Sequence, residues 1–265
     1  MTITVKGHWM LERRFAEPYT KICKEAAVNE ETFSSFKRLR EYIQIVGCDS
    51  HGIERGKQFL TYIEKEYPYL INHFDEFRKN DIHGSPPIYE YEKFGKFSPN
   101  TTRYIKVVGD LGKHFGDLNN KDITEIGSAY GGQCLITSCV YKFNSYRLVD
   151  MPEAIELSKK YLSKFNLNNV IFNSSDSVEK KESYLTISDY CLSEMNVSAT
   201  KFFFDSILSY SNNVYLTMNI FENRSKDDCD RKYYLLDLLK TKFEVSEHKT
   251  LKFKGDTYIW VGKQK

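Results

Sequence analysis

From Asp122 onward, short apolar runs alternate with helix-length segments. The runs are DITEIG (122–127), SYRLVD (145–150), NVIFN (169–173), SYLTIS (183–188) and VYLTMN (214–219). Continuous apolar strands interleaved with helices mark a parallel sheet covered on both faces. The helices are predicted near 132–141, 152–165, 196–209 and 228–240. Two later runs, KFEVSEHK (242–249) and TYIWVGK (257–263), flank a Gly-Asp turn signal and predict an antiparallel hairpin. The predicted fold class is α/β: a doubly wound sheet of five parallel strands plus a C-terminal antiparallel hairpin, behind a helical N-terminal extension.

The first 80 residues carry helical spacing. Pro18 reads as the opening residue of a first helix that runs through Ile22 to Ala27. Asn29 caps a second, in which Phe33, Phe36, Leu39, Ile43 and Val46 keep one face until Gly47 stops it. A third, with Phe59, Leu60, Ile63, Tyr67 and Leu70 on one side, bends or breaks at Pro68. Residues 80–99 hold three of the six Pro, two Gly and several aromatics, and read as a lid-like loop. Ser98-Pro99 then starts a helix carrying Ile105, Val108 and Leu111. The expected organisation is a helical cap over 1–80, an aromatic loop over 81–99 and a ligand-binding domain over 100–265.

Composition narrows the partners. The formal net charge is +2, from 38 Lys+Arg against 36 Asp+Glu, which is too balanced for a nucleic-acid or membrane partner to be argued from bulk electrostatics. No apolar run approaches the length of a membrane span, and MTITVKGHWMLERRF lacks the apolar stretch of a signal peptide. The six Cys include no C-x-x-C pair and read as reduced thiols of a cytoplasmic protein. Nineteen Tyr and eighteen Phe suit sugar or nucleoside sites as well as interfaces, and permit a homodimer.

In a doubly wound sheet, ligands bind beyond the carboxyl ends of the strands, so the turn after the first strand is the first place to look. It reads Glu125-Ile126-Gly127-Ser128-Ala129-Tyr130-Gly131-Gly132-Gln133. The second strand ends at Asp150, where an acid accepts hydrogen bonds from both hydroxyls of an adenosine ribose. This pairing fits NAD and S-adenosylmethionine enzymes alike. A dinucleotide site wants G-x-G-x-x-G and a helix N-terminus free for pyrophosphate. Here Ala129 and Tyr130 interrupt that pattern, and Glu125 suits the ammonium of a methionine moiety better than a pyrophosphate.

The segments EIGSAYGGQ (125–133), VDMPEAIELSKKYL (149–162) and ISDYCLSEM (187–195), with the lead-in NDIHGSPP and SPNTTRYIKVVGDL, resemble the sugar O-methyltransferase family over roughly residues 80–220. Two departures stand out: Ser128-Ala129 replaces glycines, and Asp189 stands where the family commonly has Asn. The resemblance implies the Rossmann-like class I methyltransferase fold, S-adenosylmethionine as donor, and a sugar, nucleotide-sugar or glycan acceptor of surface or capsular polysaccharide. Candidate donor contacts are Glu125, Gly127, Ser128, Tyr130, Gly131 and Gln133 in the first turn. Asp150, Met151, Asp176 and Ser188 follow at later strand ends.

Transfer to a hydroxyl calls for a positioned base. Asp189 and Glu194 stand beyond the fourth strand, with His83 in the aromatic loop as the next candidate. Tyr190, Arg103 and Tyr104 are candidate acceptor contacts. Asp227, Asp228 and Asp230 form an acidic cluster, but Arg224, Lys226 and Arg231 beside them favour a self-paired surface turn, so no metal is expected. A non-catalytic nucleoside- or glycan-binding module and an NAD-dependent sugar dehydrogenase stand as the alternatives.

Overall fold

A computed structural model describes residues 2–4, 13–47, 49, 52–220, 226–249, 251 and 256–265. A strand β1 (Thr2–Thr4) precedes helix α1 (Arg13–Val28), α2 (Glu30–Ser35), α3 (Arg40–Val46) and α4 (Gly52–Glu66). Next come the short α5 (Phe74–Phe77), the hairpin β2 (Tyr89–Tyr91) and β3 (Gly95–Phe97), and α6 (Pro99–Phe115). The α/β half then runs β4 (Asp122–Ile126), α7 (Gly132–Ser138), β5 (Ser145–Asp150), α8 (Pro152–Leu162), β6 (Val170–Ser174), β7 (Ser177–Glu179) and β8 (Ser183–Asp189). It closes with α9 (Val197–Ser206), β9 (Ser211–Ile220), α10 (Lys226–Lys242), β10 (Phe243–Lys249) and β11 (Asp256–Gln264).

Seven strands form one sheet in the order β10-β11-β9-β8-β4-β5-β6. Pairings β4–β5, β4–β8, β5–β6 and β8–β9 are parallel, while β11 runs antiparallel to both β9 and β10. The chain thus moves outward from β4 to β6, crosses back to β8 and continues outward on the other side. The junction of β4 and β8 is the switch point where such sheets bind ligands. This is the expected α/β class, a mostly parallel sheet with a closing antiparallel pair, and the architecture that the class I methyltransferase resemblance implies. The Gly-Asp turn between the last two strands falls mostly outside the described residues, as do the side chains of the acidic cluster and its neighbours at 224–231.

The two-residue period of the strands sorts their side chains between two apolar layers. Tyr215 faces one layer, whereas Val214, Leu216 and Met218 of the same strand face the other with Trp260, Phe203 and Leu235. The first layer also takes in the N-terminal helices: Tyr19, Phe36, Tyr42 and Leu60 join Tyr130, Leu148 and Tyr161 in one cluster.

Three local expectations are revised. Pro18 lies inside α1, which begins at Arg13, so the ring occupies the second turn rather than opening the helix. The continuous helix expected over 33–46 is two helices joined by a 3-10 turn at Phe36–Arg38, with Leu39 extended. The break goes with tertiary contacts: Lys37 N–H bonds to Gly84 O, and its side chain is drawn inward. Residues 81–99 are a folded hairpin region with Tyr91 and Phe97 in the core, because an aromatic there gains more by burial than as a solvated loop. The caps follow the sequence signals. Asn29 Oδ1 accepts from Thr32 N–H, Ser98 Oγ accepts from Thr101 N–H, and Gly47 ends α3 at φ 99°.

Candidate functional site

A cavity of about 460 Å³ opens at the carboxyl ends of β4, β5, β8 and β9. Its floor is the turn after β4, and its roof comes from far away in sequence: Tyr19 of α1, residues 44–47 at the end of α3, and Arg55 of α4.

The turn leaves β4 through Gly127 at φ 79°. A Cβ there would stand 2.3 Å from Cys191 Cβ, so only glycine lets the two strand exits lie together. Ala129 follows at φ 49°, a left-handed conformation that is strained for a residue with a Cβ. Its N–H donates to Asp150 Oδ2 at 2.7 Å, and Met151 N–H donates to Oδ1 at 2.7 Å. Asp150 therefore ties the glycine turn to the end of β5. Burial pushes its pKa up to about 6, against the two amide hydrogen bonds, which pull it down.

Glu125 is buried on the cavity wall and accepts from Tyr146 Oη–H at 2.9 Å. Burial lifts its pKa well above the carboxylate range, an effect the tyrosine bond only partly opposes. Ser128 Oγ and Ser175 Oγ also lie at the cavity, buried and without a hydrogen-bond partner among the described residues. Orphaned buried hydroxyls are costly unless a ligand satisfies them. These groups fit an adenosyl-methionine donor. Asp150 could take ribose hydroxyls, an ammonium beside Glu125 would favour its ionised form, and the two serine hydroxyls could bond to the donor.

Across the cavity, Asp189 closes β8. Its Oδ2 is 3.1 Å from Arg103 Nη1, with both side chains buried, and Oδ1 accepts from Thr217 Oγ1 at 2.6 Å. Tyr190 follows at φ 66° and also lines the cavity. Tyr104, Met151 and Glu194 complete the sequence-predicted residues found on the wall.

The remaining candidates stand elsewhere. Tyr130 faces the N-terminal helices, its hydroxyl accepting from Asn80 Nδ2 at 3.1 Å with Tyr161 edge-on at 4.8 Å. Gly131 turns the chain into α7 beside Leu162, and Gln133 is buried in the core, where its Nε2 donates to Tyr104 O and Thr137 Oγ1 while its Oε1 has no hydrogen-bond partner among the described residues. Ser188 is buried within β8 and is not on the cavity wall. Asp176 bonds through its N–H to Ser174 Oγ, and Ser175 takes the wall position instead. His83 packs against Phe33, Phe165 and Tyr161 beyond α8, outside the cavity. Burial and the charge of Lys37 press its pKa down. Among the described residues no His, Cys, Asp and Glu converge as a metal site, and no helix is long and apolar enough to cross a membrane.

Sequence reasoning missed Gln44, Arg55, Ser175, Asn219 and Thr257 on the wall. Only Ser175 carried a signal, as the residue directly after the third strand.

No family model and no curated protein matches this sequence. Solved structures that are similar include the methyltransferase domain of bacterial-CtHen1-CN (12% identity, 61% of this chain and 97% of that chain, TM-score 0.49). The B. subtilis M1A22 tRNA methyltransferase TrmK is 12% identical over 60% of this chain and 65% of its own, TM-score 0.46. The mitomycin 7-O-methyltransferase MmcR is 11% identical over 63% and 57%, TM-score 0.42. Likenesses at this level say nothing about substrate.

Proposed function

We propose that this chain is an S-adenosylmethionine-dependent O-methyltransferase whose acceptor is a sugar hydroxyl. The observation that carries the donor is Asp150, held between two amides at the end of β5 with the Gly127 turn above it and the orphaned serine hydroxyls beside it. The sugar acceptor is supported by the motif resemblance over residues 80–220.

When bound, the donor supplies an electrophilic methyl whose bond to sulfur breaks as the new bond to the acceptor oxygen forms. The chain's own tasks are alignment and removal of one proton. Asp150 and Glu125 would hold the ribose and methionine ends of the donor, which would supply the methyl group. Asp189 receives the hydroxyl proton, and Arg103 with Thr217 holds that carboxylate in one orientation. Glu194 is a further carboxylate on the same cavity wall.

Calorimetric titration with S-adenosylhomocysteine is the test. Binding is expected well below ~1 mM, with a rise in melting temperature that NAD(H) does not reproduce. No binding at that concentration, or a shift with NAD(H) alone, would overturn the reading. A mass-spectrometric screen of sugars and nucleotide-sugars for a methyl gain then tests the acceptor.

A further inference from the structure

We infer that Asn80, which is not on the cavity wall, is a positioning residue for the donor turn and acts through the hydroxyl of Tyr130 behind it. This rests on the methyltransferase reading and assigns the glycine turn of that site its support.

Ala129 sets the requirement. At φ 49° it holds a conformation that a residue with a Cβ keeps only where its surroundings over-determine it. One side of that hold is the bond from Ala129 N–H to Asp150 Oδ2 at 2.7 Å. Gly131 N–H closes the turn on Ser128 O at 2.8 Å. The next anchor is the Tyr130 side chain, which is fully buried and absent from the cavity wall. Its ring lies 4.8 Å from that of Tyr161 and 5.7 Å from that of Phe36, both edge-on. Rings packed this way leave the phenol free to slide along its own plane unless its oxygen is also fixed. Asn80 Nδ2 fixes it, donating to Tyr130 Oη at 3.1 Å.

Asn80 is itself held on every polar atom of its side chain. Nδ2 also donates to Thr101 Oγ1 at 2.7 Å, and Oδ1 accepts from Tyr161 Oη–H at 3.0 Å. Its backbone O lies 2.6 Å from Lys37 Nζ. The side chain is wholly buried, so each lost partner would leave a polar atom in the core without water to replace it. Thr101 belongs to the first turn of α6, two and three residues before Arg103 and Tyr104 on the cavity wall. One planar amide with two N–H donors thus ties the donor turn to the helix that supplies those two wall residues. A ligand site needs such support because a small displacement of the turn changes every contact made from it.

The experiment compares Asn80→Ala, Tyr130→Phe and their double variant with Leu70→Ala. Leu70 is buried in the same apolar cluster as Tyr130 but is not on the cavity wall, so its truncation reports general loss of packing. Three quantities are read: melting temperature, S-adenosylhomocysteine affinity by calorimetry well below melting, and hydrogen exchange of residues 127–132 in the ligand-free protein. Asn80→Ala and Tyr130→Phe are each expected to weaken S-adenosylhomocysteine about 3- to 10-fold, the worth of one buried hydrogen bond, and to speed exchange in 127–132. The double variant is expected to bind about as well as Asn80→Ala, since both changes remove one contact. Leu70→Ala is expected to lower the melting temperature while affinity and turn exchange stay within two-fold of the unaltered chain. Should Asn80→Ala not fold, Tyr130→Phe, which keeps the ring and removes one oxygen, decides alone. Unchanged affinity and exchange in Tyr130→Phe, additive losses in the double variant, or equal losses in Leu70→Ala would overturn the inference. Failure of the unaltered chain to bind S-adenosylhomocysteine removes the methyltransferase reading and this inference together, whereas normal binding with unchanged exchange in the variants removes this inference alone.

Discussion

Asp150 holds its carboxyl between the amides of Ala129 and Met151, with its pKa lifted to about 6 by burial. Hydroxyls of a bound ribose would favour the ionised form, so binding should lower that pKa. The sign follows: above pH 6 the carboxylate is already formed, and below it the ligand must expel a proton. S-Adenosylhomocysteine affinity is therefore expected to fall as the pH drops through about 6, and titrations at several pH values would show it. In Asp150→Asn that slope should vanish and the affinity drop about tenfold or more. Asp189→Asn tests the other side. It is expected to cut kcat by about 10²–10⁴ while donor affinity stays within a few-fold. Unchanged turnover would remove Asp189 as the proton acceptor. The places of Glu125 and Asp150 on the cavity wall were legible because each stands at or near the carboxyl end of a strand that an apolar run marks. Tyr130 and Gln133 lie off the cavity wall because a motif gives order along the chain, not direction: both side chains turn into the core, Tyr130 before Gly131 and Gln133 within α7.

Between α2 and α3, the break at Phe36–Arg38 carries a lysine inward. Lys37 Nζ donates to Asn80 O at 2.6 Å and Tyr161 Oη at 3.2 Å, with the Tyr130 ring centred 4.1 Å away. Burial pulls its pKa down to about 7, despite the upward pull of Asp81 and Asp49. Between that value and the pKa of an unfolded lysine, the unfolded chain binds more protons than the folded one. Lys37's contribution to stability thus rises with pH above about 7. Lys37→Met should remove this slope, so that the variant compares best with the unaltered chain near pH 7 and worse near pH 9.5; urea unfolding at both values measures it. The break itself was invisible in the sequence, since Phe33, Phe36, Ile43 and Val46 keep helical spacing and nothing local announces that a lysine will be buried. The caps at Asn29, Ser98 and Gly47 were legible because their signals act within three or four residues.

At the scale of the whole molecule, all seven strands of the main sheet were readable from runs of apolar residues, whereas their order was not. Pairing joins β4 to β8 across some sixty residues, and no local pattern encodes it. The cavity roof was hidden for the same reason: Tyr19, Gln44 and Arg55 reach the site only by packing. Because Tyr19, Phe36, Tyr42 and Leu60 share one core with Tyr130 and Tyr161, the N-terminal helices are structural partners of the sheet. A chain begun at residue 81 is expected to lose its cooperative thermal transition, which calorimetry would register.

Gly127 and Cys191 meet so closely that the donor turn and the exit of β8 share one wall of the cavity. Burial pushes the Cys191 thiol well up, so it reacts slowly with alkylating reagents at neutral pH. Cys191 lines the cavity, so a ligand bound there would hinder a reagent approaching from that side. Its rate of labelling is thus a clock for occupancy: slow in the open cavity, slower still when a donor analogue sits across Gly127, and readable without knowing the acceptor.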